Sequence, residues 1–187
     1  MDNSSRSERT RNAVLEAAIT IIVRDGPNRL TLDAIARESG ISKGGLMHQF
    51  RSKEAVLKAL LERQAEHSGK FSADYREKLG KDVAQPELAT HIATLRDAMG
   101  MKHSVAAAIL NVIMQDPGML LPQLQKAVEA IKAETSDPDL AVLRWLAARG
   151  MVFSVLMDQC PLSDEECERL FARLLDDDQW KAKPGDH

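Results

Sequence analysis

With 187 residues, 44 % of them hydrophobic, the chain can fill a core and is not globally disordered. Its net charge of −3 favours no partner class, but through Lys53 nine Lys/Arg face six Asp/Glu and beyond it 16 face 22: a mildly basic head on an acidic body, suited to nucleic acid at one end. No apolar run approaches the roughly 20 residues that span a bilayer and no secretion signal opens the chain, so a cytoplasmic, reduced protein without membrane contact is expected.

Two Trp, one Tyr and four Phe leave the core to Leu, Ala, Ile, Val and Met, which favour helix. From Ser7 the apolar residues Val14, Ala17, Ala18, Ile21 and Ile22 recur every three or four positions, one stripe of a helix that Gly26 and Pro27 stop. Thr31 can cap a short helix through Leu32, Ile35 and Ala36 to Gly40, and Ser42 a second ending near Phe50. Ser52 then caps a long helix from Lys53 to about Leu79, with Gly69 a plausible bend.

Pro86 opens a helix ending near Gly100, and another runs from about Lys102 to Gln115. Asp116-Pro117 and Asp137-Pro138 each place a capping carboxylate before a proline at a first helical position. Ser163 to Glu166 forms a capping box for the last helix, whose Cys167, Leu170, Phe171, Leu174 and Leu175 share a face; the tail from Asp176 is expected to fray. No segment alternates with period two, so the fold class is all-α. Cys160 and Cys167 read as small apolar fillers, with a redox pair as the alternative.

The informative stretch is TLDAIARESGISKGGLMHQFRSKEA, from Thr31 onward. Two short helices about Gly40-Ile41 make a helix-turn-helix. Ile35, Ile41, Leu46 and Phe50 face inward; Ser42, Lys43, Gly44, Gly45, Met47, His48 and Gln49 are left outward, as a recognition helix presents itself to the major groove.

This stretch, with the amphipathic helix before it, resembles the tetracycline-repressor (TetR) family of bacterial regulators over roughly residues 7–60. The resemblance implies about nine helices: a DNA-binding domain at 1–53 and a ligand-binding and dimerisation domain at 54–187. It further implies a ligand-responsive repressor, not an enzyme, that binds a palindromic site on double-stranded operator DNA as a homodimer. An activating role is the alternative within the class. Lys53 matches the family's phosphate-binding lysine, and Thr31 can reach phosphate through its hydroxyl and N–H. Lys43 and His48 are the expected base readers, while Gly44 and Gly45 let the backbone approach DNA. Met47 replaces the family's usual Tyr and cannot supply its phosphate hydrogen bond; a thymine methyl or a sugar is its expected neighbour. Arg6, Arg9 and Arg11 form a candidate basic arm. Thr31 and Ser42 can equally be caps alone, and Lys53 a solvated side chain. Asp33 faces outward, set to repel phosphate or accept from cytosine.

From Asp139 to Gln159 the sequence is apolar on most of a helix's circumference, so two buried faces are expected. Ala147, Gly150 and Ser154 form a small-residue strip for a close crossing. The family's pairing of its last two helices with a partner's copies implies a dimer interface including Leu146, Gly150, Leu170, Phe171 and Leu174. Met99, Met101, His103, Ile109, Ile113, Met114, Trp145, Arg149, Met151 and Phe153 are candidate walls of an effector pocket, with Asn111 and Gln115 as further polar handles; plain core is the rival for the apolar ones. The effector expected is a lipophilic or amphipathic small molecule. Arg149, in so apolar a helix, calls for a partner: a carboxylate across the dimer, or an anionic ligand. The five His are scattered and no Cys or His pair has zinc spacing, so neither metal, cofactor nor catalytic site is expected.

Overall fold

The computed structural model describes residues 3–81, 83–101, 103–116, 118 and 120–180. Among them are nine α-helices and no strand: α1 (Asn3–Asp25), α2 (Leu32–Ser39), α3 (Lys43–Gln49), α4 (Lys53–Lys78), α5 (Pro86–Ala98), α6 (His103–Gln115), α7 (Leu121–Ala133), α8 (Pro138–Leu156) and α9 (Asp164–Leu175). No helix of the described residues is long and apolar enough to cross a membrane. The chain forms two compact units, residues 1–66 with 101–117, and residues 67–100 with 118–187. A division at residue 53 therefore differs from the packing in two ways: α4 contributes to both units, and α6 belongs to the first.

In the first unit the α1 stripe of Val14, Ala17, Ala18, Ile21 and Ile22 is buried. It joins Leu30, Ile35, Leu46, Phe50, Val56 and Leu60 in one core, to which α6 adds Val105, Ala108 and Ile109. Each buried Val, Leu, Ile or Phe among them stabilises the fold by about 1.5–3 kcal/mol. Local chemistry sets the helix ends. α1 stops where Gly26 takes a φ of +85°, α2 where Gly40 takes +67°, a region open to glycine. The Thr31, Ser42 and Ser52 hydroxyl oxygens accept from the backbone N–H groups of Ala34, Gly45 and Ala55 at 3.1, 3.2 and 3.2 Å. α4 runs unbroken through Gly69.

In the second unit α8 packs against α5, α7 and α9. Leu88, Ile92, Ile131, Ala141, Trp145, Ala148, Val152, Phe171 and Leu174 make its core. Asp137 caps α8 through Leu140 N–H at 3.0 Å, and the Ser163–Glu166 capping box opens α9. α7 begins at Leu121 with Pro122 in its first turn, later than the Asp116-Pro117 start; Pro117 lies outside the described residues. Residues 177–180 form a 3₁₀ turn instead of a frayed tail, because the Trp180 indole donates to Arg173 O at 2.8 Å and Asp177 pairs with Arg144 at 2.8 Å. Residues 181–187 lie outside the described residues.

Candidate nucleic-acid interface and effector groove

α3 is held by its inner face: Leu46 is fully buried and Phe50 N–H donates to Leu46 O at 2.8 Å. Ser42, Lys43, Gly44, Met47 and His48 are exposed, Gly45 and Gln49 partly so. Ser42 and Thr31 spend an acceptor lone pair on their caps, which leaves each hydroxyl hydrogen able to donate outward. A Cβ at Gly44 would meet nothing within 4 Å, whereas one at Gly45 would press on Ile41 Cγ2 and Ser42 Oγ at 3.3 Å. Gly44 thus offers open approach, and Gly45 also serves packing within the turn. The Gln49 amide donates to Ser7 Oγ on α1 at 2.8 Å, so it is already engaged inside the protein.

Lys53 is exposed in the first turn of α4. Lys43 Nζ lies 2.8 Å from Asp33 Oδ1, an exposed bridge between α3 and α2. That contact holds the Asp33 carboxyl below its usual range, chiefly through the hydrogen bond from Lys43. The three N-terminal arginines do not form an extended arm, because α1 is already helical at Asn3. Arg6 and Arg9 are exposed on it, while Arg11 pairs with Glu62 at 3.1 Å and lies 5.2 Å over the Phe50 ring.

The candidate pocket residues do not gather in one unit. His103, Ile109, Ile113 and Met114 stand on α6 in the first; Met99, Trp145, Arg149 and Phe153 belong to the second. Ile109 is core, Ile113 and Met101 pack against that core, and Met114 is 74 % exposed. The side chains of Asn111 and Gln115 lie outside the described residues. Met99 and Met151 pack on the second core, and Phe153 is exposed. Trp145 and Arg149 do meet, the guanidinium 4.8 Å from the ring centroid. They line a groove of about 510 Å³ between α7 and α8, with Leu121, Leu124, Val128 and Leu146 as its other apolar walls and Gln125, Glu129 and Lys132 at its polar edge. Burial pushes the Arg149 pKa down.

Leu146, Gly150 and Leu170 are exposed in the protomer, together with Leu143 and Phe153. Phe171 and Leu174 are corrected from interface to core: α9 turns that face onto α5 and α8, and both side chains are buried within the protomer. α8 is accordingly buried on one side only, that of Ala141, Arg144, Trp145, Ala148 and Val152.

Arg149 is the cation to which the sequence points in α8, but the buried one is Arg144, 3 % exposed. Arg144 donates to Leu174 O at 2.6 and 3.1 Å and to Gln85 Oε1 at 3.3 Å, pairs with Asp177, and sits 5.6 Å from the Trp180 ring centre. It thereby serves Leu174 O, one of the last carbonyls of α9, which lack partners within their helix. The sequence carries no signal for it, because α8 is apolar nearly all round and its period does not choose the buried side.

These features define a class: a helix-turn-helix unit with its recognition helix uncovered, in one chain with a separate helical unit carrying an apolar groove. Residues 14–60 match the model for bacterial regulatory proteins of the tetR family, and residues 85–177 that for the tetracyclin repressor-like C-terminal domain. The chain belongs to the TetR family, whose members are transcriptional regulators and not enzymes. It is 36 % identical over 58 residues to the HTH-type transcriptional regulator SrpR of Pseudomonas putida (31 % of this chain, 27 % of SrpR). It is 29 % identical over 126 residues to the regulator UidR of Escherichia coli (66 % of this chain, 60 % of UidR). The chain thus spans about a quarter of the first relative and three fifths of the second. Among solved structures, a TetR-family regulator from Syntrophomonas wolfei matches with a TM-score of 0.64 at 17 % identity, covering 89 % of this chain and 93 % of that one. The multidrug binding protein EbrR complexed with malachite green matches with a TM-score of 0.55 at 18 % identity, covering 88 % and 96 %.

Proposed function

We propose that this chain is a cytoplasmic repressor that binds a palindromic operator as a homodimer and is released by a small lipophilic or amphipathic molecule. One observation carries the DNA reading: the capped, rigidly seated α3 leaves Ser42, Lys43, Gly44, Met47 and His48 exposed on one short helix, with Thr31 and Lys53 at the adjoining helix starts. Lys53 and the Thr31 and Ser42 hydroxyls position the protein on phosphates; Lys43 and His48 read bases. One such helix reads too few base pairs for useful specificity, so two copies act in successive major grooves about 34 Å apart. The exposed apolar residues Leu143, Leu146 and Phe153 of α8, with Gly150 between them and Leu170 on α9, supply a surface for the second copy. The α7–α8 groove suits the effector in size and apolar lining, with Trp145 and Arg149 as its aromatic and charged handles. EbrR, of the same fold, takes malachite green.

The test is selection of random-sequence duplexes by the full chain, followed by sequencing of what is bound. A near-palindrome is expected. Lys53→Ala is expected to weaken binding to all duplexes alike and lower the salt slope by about 1, while Lys43→Ala relaxes preference at one base pair per half-site. No enriched sequence, or Lys53→Ala binding as wild type at two salt concentrations, overturns the assignment.

A further inference from the structure

The chain's only two cysteines meet. Cys160 lies in the turn between α8 and α9 and Cys167 on the first turns of α9, their Sγ atoms 3.7 Å apart. Cys160 is partly exposed and Cys167 buried. The reversal is tightly made: Asp158 takes a φ of +55°, and Glu166, one residue before Cys167, accepts from the Ser163 N–H at 2.8 Å and so pins the start of α9. Cys160 stands outside any helix, and the two sulfurs have under 2 Å to close to reach the ~2.05 Å of a disulfide.

We propose that Cys160 and Cys167 form a hydroperoxide-oxidised dithiol, with Cys160 as the attacking and Cys167 as the resolving sulfur. The Cys160 thiolate attacks the terminal oxygen of a hydroperoxide; the O–O bond breaks, Cys160 becomes a sulfenic acid, and the departing alkoxide or hydroxide takes up the proton Cys160 lost. The Cys167 sulfur then attacks the sulfenic sulfur; the S–O bond breaks, the disulfide forms, and hydroxide leaves as water with the Cys167 proton. Two thiols and one hydroperoxide give one disulfide, one alcohol (or water) and one water, the peroxide being the oxidant. The environments assign the order of attack. A hydrogen bond from the Leu162 backbone is the largest influence holding the Cys160 thiol below its usual range, while burial pushes Cys167 up. Access assigns the same order, since Cys160 is the sulfur partly open to solvent.

The experiment treats the reduced full chain with near-stoichiometric hydrogen peroxide, then titrates thiols and maps peptides without reductant. Both thiols are expected to vanish together into one intramolecular disulfide that dithiothreitol reverses. Cys167→Ser is expected to stop at a Cys160 sulfenic acid trapped by dimedone, and Cys160→Ser to react at least on the order of tenfold more slowly than wild type. Disulfides only between chains, or no dimedone adduct in Cys167→Ser, overturn the proposal. Iodoacetamide labelling of the untreated protein needs no variant: Cys160 is expected to be marked first, and labelling of Cys167 first overturns the assignment.

Discussion

Replacing Phe171 with alanine removes the largest fully buried side chain among the described residues while leaving every exposed surface untouched. The ring sits in the core that α9 shares with α5 and α8, among Leu88, Ile92, Trp145, Val152 and Leu174. Truncating a buried Phe costs about 3–5 kcal/mol, the lost transfer energy plus that of the cavity left behind. For a chain of this length each kcal/mol lowers the melting midpoint by about 2–4 °C, so a fall of roughly 6–20 °C is expected. Thermal melts followed by circular dichroism at low and high protein concentration are the assay. A core residue lowers the midpoint by the same amount at both concentrations, whereas an interface residue acts through association and its effect changes with concentration. A fall below about 2 °C, or one present only in dilute protein, refutes the placement of Phe171 in the protomer core.

Asp33→Asn is expected to raise affinity for all duplexes, by removing a carboxylate from the phosphate-facing surface, and to blur the base pair that Lys43 reads, because its ammonium loses the partner 2.8 Å away; duplex titrations that match wild type in both respects refute this. Leu146→Glu, on the exposed stripe of α8, is expected to shift dimer to monomer with little change in the melting midpoint of the monomer, and light scattering that still shows dimer refutes it. The His91 pKa lies below its usual 6.5, chiefly through burial, so between the two values the unfolded chain holds a proton that the folded chain lacks. Its contribution to stability is therefore full above the unfolded value and is lost as pH falls through it. Urea midpoints of wild type are expected to decline more steeply below about pH 6.5 than those of His91→Gln, and equal slopes refute the assignment.

Much of the fold is legible in the sequence because the signals are local. The hydroxyls of Thr31, Ser42, Ser52 and Ser163 and the carboxylate of Asp137 each cap an N–H three residues on, a bond that needs no distant partner. The α1 stripe and the inner positions Ile35, Leu46 and Phe50 follow from helical period, and the outward face of α3 is what remains. Tertiary packing alone decided which neighbour covers each apolar face. α8 is apolar nearly all round, so its periodicity could not say that Ala141, Arg144 and Trp145 turn inward while Leu143, Leu146 and Phe153 turn out. The same holds for α6, whose Val105, Ala108 and Ile109 complete the core of the first unit, with Ile113 packed against it. α5 has no side-chain cap of its own at Gln85; its Glu87 N–H donates to the Glu134 carboxylate at 2.7 and 3.0 Å, across 47 residues of sequence. Partners so far apart are brought together only when burying apolar surface offsets the entropy of closing the chain between them, and that balance belongs to the assembled helices and to none of them singly.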